Sequence, residues 1–121
     1  MKLGRIKTYD LDEIAYAKYR MVTKDNEDIT YEEAKKKLTR NALLGKTIFY
    51  NKKRRDMCIQ YGSLKIYIKF SAKGNMRITD LQNGCKMKGY WTLDYEKYEA
   101  ISKQLGLVIK RKPYIKGEGL I

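Results

Sequence analysis

The chain has 121 residues, enough for one domain that buries its own hydrophobic core and too few for two. Its 27 lysine and arginine residues against 14 aspartate and glutamate residues give a formal net charge of +13, which favours anionic partners. With no histidine and only Cys58 and Cys85, it lacks the ligands of a zinc site, and we expect free thiols in a reducing compartment.

The first predicted element is an amphipathic helix. Asp10 and Glu13 have the spacing of a capping box, in which an acidic side chain and a later glutamate satisfy free backbone N–H groups. Apolar residues then recur at helical spacing along one side. The pattern predicts a helix over residues 11–22.

A second helix is predicted after a short acidic turn. Thr30 and Glu33 repeat the capping-box spacing, and the pattern indicates a helix over Tyr31–Leu44 with Gly45 as a left-handed terminator. Four basic residues fall in the later part of this helix, where we expect them to continue a positive surface: Lys35, Lys36, Lys37 and Arg40.

From Lys46 onward the apolar residues recur at every second position, which is typical of strands. Short turns separate the predicted strands, and Asn83 with Gly84 forms the strongest two-residue hairpin signal. The predicted strands are residues 47–50, 57–61, Leu64–Phe70, 76–81 and 85–91. They should form an antiparallel meander.

The last predicted elements are a third helix and a short edge strand. Thr92 or Asp94 caps the helix, which runs through Leu105 and stops at Gly106. A short edge strand and a mobile tail from about residue 113 should follow. The sequence therefore predicts one α+β domain over residues 1–121: two N-terminal helices, a four- to five-stranded antiparallel sheet, a C-terminal helix and a short edge strand. The helices should cover one sheet face and leave the other open.

Most of the excess positive charge lies in residues 51–90, which contain ten basic and two acidic residues, a net charge of +8. Along Leu64–Phe70, basic and aromatic residues alternate with apolar ones, so they should share the open face. The candidate binding residues for a nucleic acid or a partner are Lys52, Lys53, Arg54, Arg55, Lys65, Tyr67, Lys69, Lys73, Arg77, Lys86 and Lys88. Two simpler interpretations stay open: the basic turn at 52–55 is only a solvated loop, and Tyr67 is only a cross-strand packing residue.

The sequence contains no phosphate-binding glycine loop, no nucleophile elbow and no dinucleotide fingerprint, so we expect no enzyme and no cofactor. The favoured hypothesis is a small basic module that binds DNA or RNA through phosphates. One alternative is a phage-type inhibitor or adaptor that docks on a nucleic-acid-loaded host protein, such as a CRISPR effector, and blocks it stoichiometrically. A second is a metal-free, histidine-free ribonuclease. No stretch is long and apolar enough for a membrane span, which favours a cytoplasmic protein.

Overall fold

The computed structural model describes residues 4–109, and it confirms the predicted α+β class. Three helices and five strands occur in that range. In chain order they are β1 (Asp10–Leu11), α1 (Glu13–Val22), α2 (Tyr31–Leu44), β2 (Lys46–Asn51), β3 (Asp56–Tyr61), β4 (Leu64–Phe70), β5 (Met76–Gln82) and α3 (Tyr95–Gln104). The predicted tail from about residue 113 lies outside the described residues.

The strands form one sheet in the order β1-β5-β4-β3-β2. Strands β2 to β5 make the predicted antiparallel meander, whereas β1 pairs parallel to β5, with Asp10 opposite Arg77 and Leu11 opposite Ile78. The predicted cap at Asp10 is therefore wrong. Helix α1 begins after Asp12, whose side chain makes no capping hydrogen bond.

Residues 85–91 do not form the predicted fifth strand of the meander. Residues 85–88 pass instead over the sheet face opposite the helices, where the Gln60 amide donates to the Cys85 carbonyl at 3.2 Å. Lys46 Nζ donates to the Lys88 carbonyl at 2.7 Å. Gln60 is only 1% exposed as a result. The prediction that this sheet face is fully open is therefore wrong, because the segment covers part of it.

Two glycines explain why this segment leaves the sheet. Gly84 and Gly89 have φ angles of 77° and 76°, a left-handed conformation that glycine adopts without steric cost and that interrupts extended chain. The predicted Asn-Gly signal thus marks a bend after β5, but the bend leads into an irregular segment and not into a hairpin partner.

Helices α1 and α2 pack on the other sheet face, and each large apolar side chain buried there stabilises the fold by about 1.5–3 kcal/mol. This cluster includes Leu38 of α2 with Ile66, Ile68 and Ile78 of the sheet. Helix α3 lies over a second cluster that includes Leu44, Tyr61, Leu93, Ile101 and Leu105. Helix α2 therefore contributes to both clusters.

The α2 boundaries show one prediction confirmed and one corrected. Thr30 Oγ1 accepts a hydrogen bond from the Glu33 backbone N–H at 3.2 Å, as the capping-box spacing predicts. Gly45 is not a left-handed terminator, since its φ is −78°. Glycine is needed there because a Cβ atom would lie 2.5 Å from Ile59 Cγ2 and 2.8 Å from the Gln60 carbonyl oxygen.

Helix α3 follows its predicted boundaries closely. The Asp94 carboxylate accepts from the Lys97 backbone N–H at 3.1 Å, and Gly106 has a φ of 73° just after the helix. Residues 107–109 lie in no strand, so the predicted edge strand does not begin there. The rest of that segment lies outside the described residues.

Candidate nucleic-acid interface

The predicted strand register of β4 is confirmed. Lys65, Tyr67 and Lys69 lie on the face opposite the helices, because the intervening Ile66 and Ile68 are buried in the core. Lys69 is exposed, and the other two side chains are partly buried.

Two cations stand directly opposite each other at one end of this face. Lys69 of β4 pairs in register with Arg77 of β5 on one side and with Asp56 of β3 on the other. Like charges that face each other across strands destabilise a sheet. Arg77 Nε lies 3.3 Å from an Asp12 carboxylate oxygen, whereas Lys69 forms no ion pair with any residue in the described range.

Two turns add cations at the same end of the sheet, since β2 and β4 end there and β3 and β5 begin there. The exposed turn 52–55 joins β2 to β3, and the Asn51 side chain accepts from the Arg54 backbone N–H at 2.9 Å. Arg55 occupies a left-handed conformation with a φ of 56°. The turn between β4 and β5 carries the exposed Lys73. We call this cluster the basic end; it consists of Lys52, Lys53, Arg54, Arg55, Lys69, Lys73 and Arg77.

Both acidic residues of the 51–90 block have cationic partners. A carboxylate oxygen of Asp56 lies 3.5 Å from Arg54 Nη2, an ion pair too poorly aligned to count as a hydrogen bond. Asp80 accepts from Lys18 Nζ at 2.6 Å, and this ammonium group is the main reason that the pKa of the Asp80 carboxyl is lowered. Five cations of the basic end have no carboxylate partner within residues 4–109: Lys52, Lys53, Arg55, Lys69 and Lys73.

The remaining basic candidates lie at the other end of the same face. Lys65 pairs with Gln60, and Lys86 and Lys88 belong to the irregular segment that crosses there. Lys46, at the start of β2, also belongs to this region because it is the other register partner of Gln60. Sequence analysis missed Lys46 because a single lysine at a strand start carries no pattern.

Tyr67 lies between the two groups of cations. Its hydroxyl donates to Gln82 Oε1 at 3.2 Å, and its register partners are Cys58 and Asp80. Burial, followed by the neighbouring Cys58 thiol, raises the pKa of the Tyr67 phenol. These contacts fit the packing interpretation. Phe49 of β2, paired with Cys58 and 38% exposed, is a further aromatic side chain on this face.

The edge strand β2 carries an irregularity next to Phe49. Thr47 pairs with Ile59 and Phe49 with Cys58, so the register shifts between them and Ile48 is left over as a bulge. This bulge aims Phe49 at the same face as Lys46 despite their odd spacing.

The described residues contain no group of three side chains suited to hold a metal ion. No helix among them has both the length and the apolar character needed to cross a bilayer. Cys58 and Cys85 are free thiols, and burial raises the pKa of Cys58.

Comparison with known proteins places the chain in one family. No curated protein sequence and no solved structure matches it significantly. A profile of the YorE family matches residues 9–104, a range that contains all eight helices and strands of the fold. The chain therefore belongs to the YorE family.

Proposed function

We propose that this protein is a non-enzymatic nucleic-acid-binding module that contacts phosphates through the basic end. The observation that carries the proposal is the Lys69–Arg77 pair, held on rigid strands beside an exposed basic turn. A phosphate bound between the two side chains would replace their mutual repulsion with attraction to both.

The distribution of unpaired cations favours contacts with the phosphate backbone of a nucleic acid over contacts with its bases. Lysine and arginine side chains on turns and an open strand row neutralise phosphates, and such contacts position a protein on nucleic acid without reading its sequence. We expect little sequence preference and a strong dependence on salt concentration.

A second candidate function is an inhibitor or adaptor of a mobile element that docks on a host nucleoprotein. Membership of the YorE family supports this function, because YorE is a name of the kind given to phage proteins. In this case the basic end would grip the exposed nucleic acid of the target, or an acidic surface on its protein, and block access without chemistry.

A pull-down from a bacterial lysate, with and without nuclease treatment, separates these functions. Recovery of free nucleic acid that disappears after nuclease treatment supports the first function, and recovery of a defined ribonucleoprotein supports the second. Failure to retain either, together with no binding of labelled DNA or RNA at low salt, would refute both.

A titration against labelled RNA tests the non-enzymatic character. We expect no cleavage, with or without divalent metal, and occlusion that saturates near equimolar protein. Product that accumulates over many turnovers would establish a ribonuclease instead, with its groups sought among the basic end and Tyr67.

A further inference from the structure

Arg40 is buried, and its expected surface position is wrong. It is 7% exposed, and its guanidinium carbon lies 4.4 Å from the centre of the Tyr98 ring. Nε donates to Asn41 Oδ1 at 3.0 Å, and Nη1 donates to Ser102 Oγ at 3.2 Å. Contacts on three sides therefore fix the orientation of the guanidinium.

No carboxylate within residues 4–109 balances this charge. Arg40 forms no ion pair there, and Nη2 donates no hydrogen bond to the described residues. Buried charges are normally paired because removal of an ion from water is costly. An oriented, buried guanidinium with one unused nitrogen is the arrangement expected of an anion receptor.

Arg40 lines a cavity of about 440 Å³ between α1, α2 and the turn that joins β3 to β4. Its other lining side chains include three tyrosines, Tyr19, Tyr61 and Tyr98. The volume falls within the range of small-molecule sites.

Tyr19 and Tyr61 do not neutralise Arg40. Burial raises the pKa of Tyr19 to about 12 and also raises the pKa of Tyr61, while the Arg40 charge opposes both shifts. Both phenols are therefore uncharged at neutral pH.

The remaining charges that line the cavity are Lys24, Lys37 and Asp25. With Arg40 they give three positive charges against one negative charge, so the cavity has an excess of positive charge. Lys37 is partly buried, and its Nζ lies 3.5 Å from Asn26 Oδ1, a long contact that leaves donor capacity for a ligand.

The cavity is separate from the basic end. Gly62 and Ser63, which form the β3–β4 turn, lie among its lining residues. The basic end includes the β2–β3 and β4–β5 turns, at the opposite end of these strands. A ligand in the cavity would not touch Lys69 or Arg77.

We propose that this cavity binds a small molecule that carries a phosphate monoester on a planar ring system, of the size of a mononucleotide. The Arg40 Nη2 group and the Lys37 ammonium would hold the phosphate oxygens, and the tyrosine rings would contact the planar ring. The ligand is a free mononucleotide or the phosphorylated end of an oligonucleotide, which share this chemistry. The proposal does not depend on the function proposed for the basic end.

Calorimetric titration at fixed ionic strength tests the site with adenosine 5′-monophosphate, adenosine and inorganic phosphate as separate probes. We expect one saturable site for the monophosphate and binding at least about tenfold weaker for the other two probes. Equal affinity for inorganic phosphate would overturn the planar-ring part of the proposal. No saturable heat up to about 10 mM monophosphate would overturn it entirely.

Three variants locate the binding. Lys37→Gln should weaken monophosphate binding about tenfold, whereas Lys36→Gln, a matched change one residue earlier and outside the lining, should have no effect. Arg40→Lys retains the charge but loses the forked donors, and it should also weaken binding. If Arg40→Lys fails to fold, the comparison of Lys37→Gln with Lys36→Gln decides; equal affinity in those two variants refutes the site.

Two further measurements show whether the ligand is a free mononucleotide or a nucleic-acid end, and whether the cavity is distinct from the basic end. Competition by a 5′-phosphorylated oligonucleotide but not by its unphosphorylated form assigns the site to nucleic-acid ends; no competition by either assigns it to free mononucleotides. The double variant Lys53→Gln/Lys69→Gln should bind the monophosphate with unchanged affinity, and a parallel loss would show that the basic end is the true monophosphate site.

Discussion

Neutralisation of Lys53 and Lys69 should weaken nucleic-acid binding by an amount that the structure allows us to estimate. If all five cations of the basic end that lack a carboxylate partner contact phosphates of a duplex, the slope of log K against log salt should be about −4.5. Replacement of two of them by glutamine should reduce the slope to about −2.7. The same relation predicts about 60-fold weaker binding near 0.1 M salt and almost no difference near 1 M.

Fluorescence anisotropy of a short labelled duplex, measured across a salt series, tests this estimate. The control is Lys36→Gln/Lys103→Gln, which removes the same charge from two helices away from the basic end. Both double variants should keep the free energy of unfolding within about 0.5 kcal/mol of the parent, since all four lysines are exposed or half-buried and form no ion pair within the described residues. An equal loss of affinity in the control would show that only net charge matters and would refute an interface at the basic end.

Further predictions concern stability. Gly45→Ala should destabilise the protein by about 1–3 kcal/mol in chemical denaturation, because the new methyl group meets the β3 backbone, whereas Gly4→Ala, which has no neighbour within 4 Å, should have no effect. Lys18→Met should lower the free energy of unfolding by up to about 1 kcal/mol near neutral pH, because it removes the ion-pair partner of Asp80. Because the pKa of Asp80 is lowered from its ordinary value of 3.8, the Lys18–Asp80 pair stabilises the protein above pH 3.8, and this stabilisation is lost as the pH falls through the folded-state pKa. The unfolding curves of parent and variant should therefore converge in acid. The raised pKa of Tyr19 predicts a loss of stability in alkali: the free energy of unfolding should fall as the pH rises from 10 to about 12. Ultraviolet titration should show that the Tyr19 phenol ionises above pH 10, and an ionisation midpoint near 10 would contradict its burial.

The sequence predicted the regular elements well wherever local periodicity and burial agree. Helix α2 and strand β4 have the predicted boundaries, because their buried apolar residues recur at the helical spacing of 3.6 and the strand spacing of 2. The candidate residues on β4 therefore also lie on the predicted face.

Other features could not be read locally because they depend on partners distant in the chain. Strand β1 has two residues and exists through its pairing with β5. The segment after Gly84 has alternating residues, but the buried Gln60 amide holds it across the sheet face. Gly45 looked like a terminator, yet its requirement arises from contact with β3.

The cavity at Arg40 was missed for a related reason. A basic residue in a helix normally faces water, and Arg40 follows three lysines. Its position four residues before Leu44, which belongs to the cluster under α3, is a signal that this side of α2 is also buried. That signal becomes interpretable only once α3 is known to pack there.

The bulge at Ile48 affects how this protein can recognise a partner. Strand addition to a sheet edge requires an uninterrupted row of backbone donors and acceptors, and β2 interrupts that row in its middle. The opposite edge is the two-residue β1, too short to template a new strand. Neither edge strand therefore presents a long, continuous row of backbone groups to another polypeptide, and we expect recognition to proceed through side chains, where single substitutions can separate one binding surface from another.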